Sequence, residues 1–211
     1  MIVIKYSKLD GAEFIPHLDM LKHFAKIVRR MGVKASYSQG FNPHMLVFMS
    51  SPIALGLKSK SEYCLIDSDE NASLFKELFN KFAPNGIKCE ECFNVTKKAK
   101  IASDVTTAIY KISGLNKFDV NDVLLKNEFF IENKKGEQKE VRSKIVSLCF
   151  DENNLLATLK FGNDTLRPDY LANKLVSLYG GGDIDIVKED ARFLDGLDLE
   201  SYLKVSGCFQ A

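Results

Sequence analysis

Hydrophobic and polar positions alternate in two rhythms along this chain, and the switches between them mark its elements. IVIKYSK, bordered by Asp10-Gly11, predicts a strand over residues 2–8. In PHLDMLKHFAKIVRRMG, apolar Leu18, Leu21, Phe24, Val28 and Met31 recur at steps of three or four, while Lys22, Lys26, Arg29 and Arg30 take the other side. That spacing predicts an amphipathic helix stopped by Gly32, with basic residues in the last turn where the helix dipole favours them. VKASYSQ (33–39) and MLVFMSS (45–51) read as short strands, and SEYCLIDS (61–68) continues extended. ASLFKELFNKF (72–82) is a second amphipathic helix closed by Pro84-Asn85-Gly86, and IKCEECFNVT (87–96) is the last strand of this part.

A polar stretch from Lys97 to Asp104 reads as a linker, after which the order recurs. Residues 105–114 predict a strand and 120–127 a short helix. Residues 129–133 and 139–151 flank a Lys134-Lys135-Gly136 turn, and 155–162 add a strand. Residues 167–180 form a helix with Pro168 in its first turn, and 183–194 a final strand. An interrupted β-α-β-β-α-β order met twice predicts an α+β fold of two ferredoxin-like halves in tandem, 1–96 and 105–194, with a tail over 195–211. In each half the helices are expected to cover one face of an antiparallel sheet and leave the other available.

Composition agrees with a globular core: 45% of residues are apolar and 27% charged, with 15 Phe and no Trp, so Phe, Leu and Ile must build the interior. No run approaches the length of a membrane span, and MIVIKYSKLD lacks the features of a secretory signal, so a cytoplasmic protein is expected. Five Cys, an odd number, fit that compartment. Only Cys89 and Cys92 are close together, and with no second pair or spaced histidines, neither a metal nor a cofactor is expected. Cys64 and Cys149, in apolar runs, read as small core residues. Charge is uneven. Residues 1–60 hold nine Lys/Arg against Asp10, Glu13 and Asp19, a surplus of six on a chain whose net charge is +1. An anionic partner for this part is one reading, and a solvated helix face the other.

SQGFNPH (38–44), expected to connect two strands, holds an imidazole, an amide and a hydroxyl within a few residues of each other. Gly40, Asn42 and Pro43 are turn chemistry, but Ser38, Gln39 and His44 on its flanks are not needed for a turn. Rigid polar loops on a scaffold are common places for binding residues. His17 and Asp19, at the start of the first helix, are the other candidates, with a capping or half-buried role as the structural alternative. Convergence of His17 and Asp19 with Ser38, Gln39, Asn42 and His44 would form one substrate-binding centre, with Arg29, Arg30 and Lys58 as anion-binding support. Tyr6, Tyr37, Phe41 and Tyr63 are possible platforms for RNA bases, with core packing as their other fate. GGGD (180–183) lacks the strand-before, helix-after setting of a phosphate loop and reads as a helix stop.

Several blocks together carry a family likeness: YSKLDGAEFIPHLD with Arg29-Arg30, YSQGFNPH, Pro52 and Gly56 as P-x-x-x-G, Ser59, Glu62 and Tyr63 as S-x-x-E-Y, and later KEVRSKI and LRPDYL. They resemble the radical-SAM-linked protein family, an uncharacterised family whose members are fused behind, or encoded beside, a B12-binding-type radical SAM protein. The likeness is strong over residues 3–66 and thinner to residue 194. Many relatives continue after the turn histidine with Pro-Lys, where this chain has Met45-Leu46. The resemblance implies a radical SAM protein as partner. This chain has no C-x3-C-x2-C motif to hold an iron–sulfur cluster, so it reads as a non-catalytic companion that recognises RNA or another phosphate-bearing substrate. Two alternatives remain: a metal-dependent or small-molecule enzyme using His17 and His44, and a protein–protein adaptor for the radical SAM partner.

Overall fold

A computed structural model describes residues 1–210. The chain divides into two compact units, one of residues 1–105 with 192–210, the other of residues 106–191. The class is α+β. Among the described residues, no helix is long and apolar enough to cross a membrane.

The first unit is built on β1 (Ile2–Lys8), β2 (Val47–Met49), β3 (Lys58–Ile66) and β4 (Ile87–Asn94). They lie in the order β4-β1-β3-β2, every neighbouring pair antiparallel. Helix α1 (His17–Met31) and helix α2 (Ala72–Phe82) cover one face. Gly32 ends α1 in the left-handed conformation, with its N–H on the Arg29 carbonyl. Asn71 begins α2, its side chain accepting from Ser73 and Leu74 N–H. From the sheet, Ile2, Ile4 and Tyr6 of β1 and Cys64 and Ile66 of β3 meet Phe24 of α1 and Phe79 of α2. Phe24 sits edge-on to Tyr6 at 4.8 Å and tilted against Phe79 at 5.2 Å. Each of these buried rings contributes about 1.5–3 kcal/mol by leaving water.

Three details differ from the pattern expected of the sequence. The buried stripe of α1 is Met20, Phe24, Ile27, Val28 and Met31, whereas Leu18 is 70% exposed. At 3.6 residues per turn Leu18 falls on nearly the opposite side of the helix from Met20 and Ile27. Residues 33–39 are not a strand. Only Tyr37 bridges to Met45, and Ser36 links the segment to Asp67 and Leu46 through its backbone. With no fully buried side chain there, nothing rewards a longer ladder. The SQGFNPH loop therefore leads into β2 and does not connect two strands of the sheet.

The opposite face of the first unit is not available either. Val3, Tyr63 and Leu65 are buried, and Tyr63 meets Phe193 edge-on, which stacks on Tyr202 at 4.3 Å. Tyr202 belongs to α6 (Leu199–Val205), whose helix is started by the Asp198 side chain on Ser201 N–H. The Tyr202 hydroxyl donates to Asp104 at 2.8 Å, at the end of the single-turn α3 (Ile101–Asp104). The polar stretch 97–104 accordingly buries Ala99 and Ile101.

In the second unit, with Val105, Arg192 and Phe193 at the strand ends counted in the first, β5 (Val105–Leu115), β8 (Ile145–Asp151), β9 (Asn154–Lys160) and β10 (Gly181–Phe193) follow the order β10-β5-β9-β8. The short α4 (Asn121–Leu124) precedes a separate hairpin, β6 (Phe130–Glu132) with β7 (Gln138–Glu140). Helix α5 (Pro168–Tyr179) buries Leu171, Ala172 and Leu175 and stops at Gly180, whose φ is 81°. The late blocks of the family likeness are structural here. Arg142 holds the Leu124 and Ile145 carbonyls, and Arg167 pairs with Asp169 while lying over the Tyr170 ring.

Candidate functional site

The apolar alternation of two paired strands breaks at the same end of the sheet. Along β1, Ile2, Ile4 and Tyr6 face the helices, and the next residue on that face is Lys8. Along β3, Ile66 and Cys64 face them, and next comes Glu62, the cross-strand partner of Tyr6. Beyond the core these side chains border a cleft of about 240 Å³. Pro16, His17 and Met20 at the start of α1 form a second side, and Ser50, Pro52, Ile53 and Leu55 a third. Asp10 and Gly11, both at positive φ, turn the chain from β1 towards α1, and Glu13 fastens that turn by accepting the Gly11 N–H at 2.8 Å. The Glu13 carbonyl accepts the Gly56 N–H at 3.0 Å, which brings the 50–56 segment to the cleft.

Lys8 is only 6% exposed. Its ammonium donates to the Ile15 carbonyl at 2.7 Å and, among the described residues, has no ion-pair partner. Burial lowers its pKa below the ordinary lysine value, although the charges of Glu62 and Glu13 pull the other way. Tyr6 is 4% exposed, and its phenol is pushed well above its ordinary value by burial and then by Glu62. Its hydroxyl makes no hydrogen bond among the described residues, and no polar atom sealed from solvent lacks a partner, so this oxygen opens on the cleft. Glu62 takes the Ser59 hydroxyl at 2.7 Å, and Ser61 donates to the Tyr63 hydroxyl at 2.8 Å. Ser50 accepts the Tyr63 N–H and keeps its own hydroxyl hydrogen to give.

Of the substrate-binding and anion-binding candidates named from the sequence, His17 alone lines this cleft, beside Tyr6, named as a possible base platform, and Pro52 and Glu62 of the family-likeness blocks. Asp19, two residues on, forms an exposed ion pair with Lys22 at 2.8 Å, and that hydrogen bond lowers its pKa. Ser38 and His44 meet each other: the Ser38 hydroxyl lies 2.8 Å from His44 Nδ1 and accepts the His44 N–H at 3.0 Å. The hydroxyl can donate to Nδ1, with the ring hydrogen on Nε2, or accept from Nδ1–H in the other tautomer. The pair clamps the base of the loop, whose tip carries exposed Gln39 and Asn42 and a fully exposed Phe41. No hydrogen bond among the described residues joins this loop to His17 or Asp19, and none of its residues lines the cleft. Arg29 and Arg30 are exposed in the last turn of α1, and Lys58 is half-buried at the first position of β3.

No three His, Cys, Asp or Glu side chains among the described residues gather as a metal site. Cys89 and Cys92 do share a face. A register shift between Lys5 and Tyr6 sets Tyr6 opposite Cys89 and Ile4 opposite Cys92, leaving Glu90 as the extra residue of a bulge. Both thiols pack on the core; Cys89 Sγ donates to the Glu91 carbonyl at 3.3 Å, and the neighbouring Cys92 thiol together with burial raises the Cys89 pKa. Cys64 is buried, whereas Cys149 is exposed and not the core residue expected.

Sequence reasoning missed Tyr6, Lys8, Ser50 and Glu62 as a set. The available signal was a charged residue ending an apolar alternation in each of two strands, since a charge there either points away or marks a polar end of the core. No curated protein matches the chain. A family model does, described as an uncharacterized protein conserved in bacteria (DUF2344), and it matches residues 1–168. That span takes in every residue of the cleft as well as the SQGFNPH loop, and the chain belongs to this bacterial family.

Proposed function

We propose that this protein is a non-catalytic companion of a radical SAM protein, and that it recognises RNA or another phosphate-bearing substrate through the outer face of α1. The observation that carries the reading is the charge on that face. Lys22, Lys26, Arg29 and Arg30 stand exposed opposite the buried Phe24, Ile27 and Val28, and Asp19 offsets only one of them. The partner is the one the family resemblance implies. The strand orders β4-β1-β3-β2 and β10-β5-β9-β8 support reading each unit as a ferredoxin-like half. Base stacking on a bare sheet face has lost its platforms, because Tyr6 and Tyr63 are buried. Phosphate contact by α1 does not need them, and it makes binding salt-dependent.

Retention of labelled RNA on the purified protein tests this. It is expected at low salt, to fall steeply with added salt, and to weaken about tenfold or more in Arg29→Ala/Arg30→Ala. Absence of retention at low salt, or retention indifferent to both arginines, would refute it. The adaptor reading is favoured by a different observation: Phe41 is wholly exposed on a loop whose base is clamped by Ser38 and His44. It predicts co-purification with the radical SAM protein that nuclease leaves intact and Phe41→Ala abolishes. A complex that survives Phe41→Ala removes the loop from that role.

A further inference from the structure

The cleft at the start of α1 presents an excess of hydrogen-bond donors. Lys8 and Tyr6 are each more than nine-tenths buried. Lys8 has spent one of its three N–H donors, on the Ile15 carbonyl. Tyr6 has spent none, and Ser50 has a hydroxyl hydrogen left. The first N–H groups of α1, at His17 and after, lack intrahelical partners, and no side chain caps them. The positive end of a 15-residue helix dipole lies at this wall. A buried ammonium with one neutral acceptor and no carboxylate at ion-pair distance is a costly arrangement unless an anion completes it.

We propose that this cleft binds a small monocarboxylate with an apolar body, its carboxylate accepting from Lys8 and Tyr6 at the N-terminus of α1. The apolar body follows from the remaining walls, which are Ile15, Met20, Ile53 and Leu55. The single negative charge follows from Glu62, which stands cross-strand from Tyr6 with its own carboxylate on the same wall. One ligand charge is answered by Lys8 and the helix end. A second, as on a phosphate monoester, would face Glu62 inside a cleft of about 240 Å³. The inference stands apart from the phosphate-bearing substrate above, since none of the exposed cations of α1 lines the cleft.

The test uses the full chain with 4-fluorobenzoate, followed by ligand-observed fluorine NMR, and 3-methylbutanoate as competitor. Binding is expected with a Kd of about 1 mM or tighter, displaced by 3-methylbutanoate. Lys8→Met is expected to weaken it about tenfold or more, because a charge-assisted bond is lost. Tyr6→Phe removes only the hydroxyl and is expected to weaken it severalfold while keeping the ring against Phe24, so the question stays answerable whatever Lys8→Met does to folding. Lys26→Met and Arg29→Ala/Arg30→Ala are expected to leave carboxylate binding unchanged, even where RNA retention is lost. Three results would overturn the proposal: no binding of either carboxylate, binding equal in wild type and Tyr6→Phe, or inorganic phosphate bound as tightly as the carboxylates.

Discussion

Replacing Lys8 by Met should make the protein more stable while emptying the cleft of its charge. The ammonium is nearly sealed from water, with one hydrogen bond to the Ile15 carbonyl and no ion pair among the described residues. Removing such a charge in favour of an apolar side chain of similar length relieves about 1–4 kcal/mol. The Ile15 carbonyl then loses its donor, at a cost of about 1 kcal/mol or more. A net gain of about 1 kcal/mol at pH 7 is the expected balance, seen as a rise of about 2–4 °C in Tm or of about 0.4 M in the urea midpoint. The pH dependence carries the same argument. Burial lowers the folded pKa of Lys8 from its ordinary 10.5, so between those two values the unfolded chain binds the extra proton. Wild-type stability therefore rises with pH through that window, and the full penalty applies below it. Lys8→Met lacks this dependence, so its advantage over the wild type should shrink as pH climbs towards 10.5. Urea melts followed by circular dichroism at pH 7 and at pH 10 decide it. A variant less stable than wild type at pH 7, or an advantage that widens with pH, would show that Glu62 and Glu13 compensate the charge and would refute the reasoning.

Other perturbations follow from local geometry. Gly86→Ala puts a methyl 2.1 Å from the Leu9 carbonyl oxygen at a φ of +83°, so a loss of about 3 kcal/mol or more is expected in urea melts. Asn71→Ala removes the acceptor for two N–H groups at the start of α2 and should cost about 1 kcal/mol, whereas Asn71→Asp should keep most of it. Ser38→Ala leaves both the His44 N–H and Nδ1 without their partner. Faster hydrogen exchange at His44 is expected, with little change in global stability because the loop is exposed, and unchanged exchange would show that the clamp does not hold the loop.

The helices were legible because their signals are local. Each of α1, α2 and α5 combines an apolar stripe with a stop or start of the right chemistry: Gly32, Asn71, and Pro168 with Gly180. Register on the helix surface was less legible. Leu18 and Leu21 have the right spacing, yet the core takes Met20 and Ile27, which lie with Phe24 and Met31 on one side of the helix. The last residues carry a local helix start at Asp198 but no local clue to where that helix packs. Their place in the first unit goes with Tyr202 stacking on Phe193, which meets Tyr63 from more than a hundred positions away in sequence.

The site shows the same division between local and distant signals, and it explains why the SQGFNPH loop is conspicuous in the sequence and the cleft is not. In SQGFNPH the polar groups are crowded within seven residues, so they stand out in sequence. That crowding also lets Ser38 and His44 satisfy each other, and a satisfied pair has little left for a ligand. Lys8 and Glu62 are 54 positions apart, and each taken alone is an ordinary charge in a strand. Only the pairing of β1 with β3, which sets Tyr6 opposite Glu62, brings them to one wall. There the sheet's geometry prevents mutual satisfaction. Lys8 reaches the Ile15 carbonyl, Glu62 is met by Ser59, and the Tyr6 hydroxyl reaches no acceptor among the described residues. Folding leaves such donors unmatched at a free-energy cost, and an anion that accepts from them recovers it. On the proposal made for the cleft, binding follows unmatched donors rather than polar density along the sequence, and Tyr6 and Lys8 come ahead of Ser38 and His44.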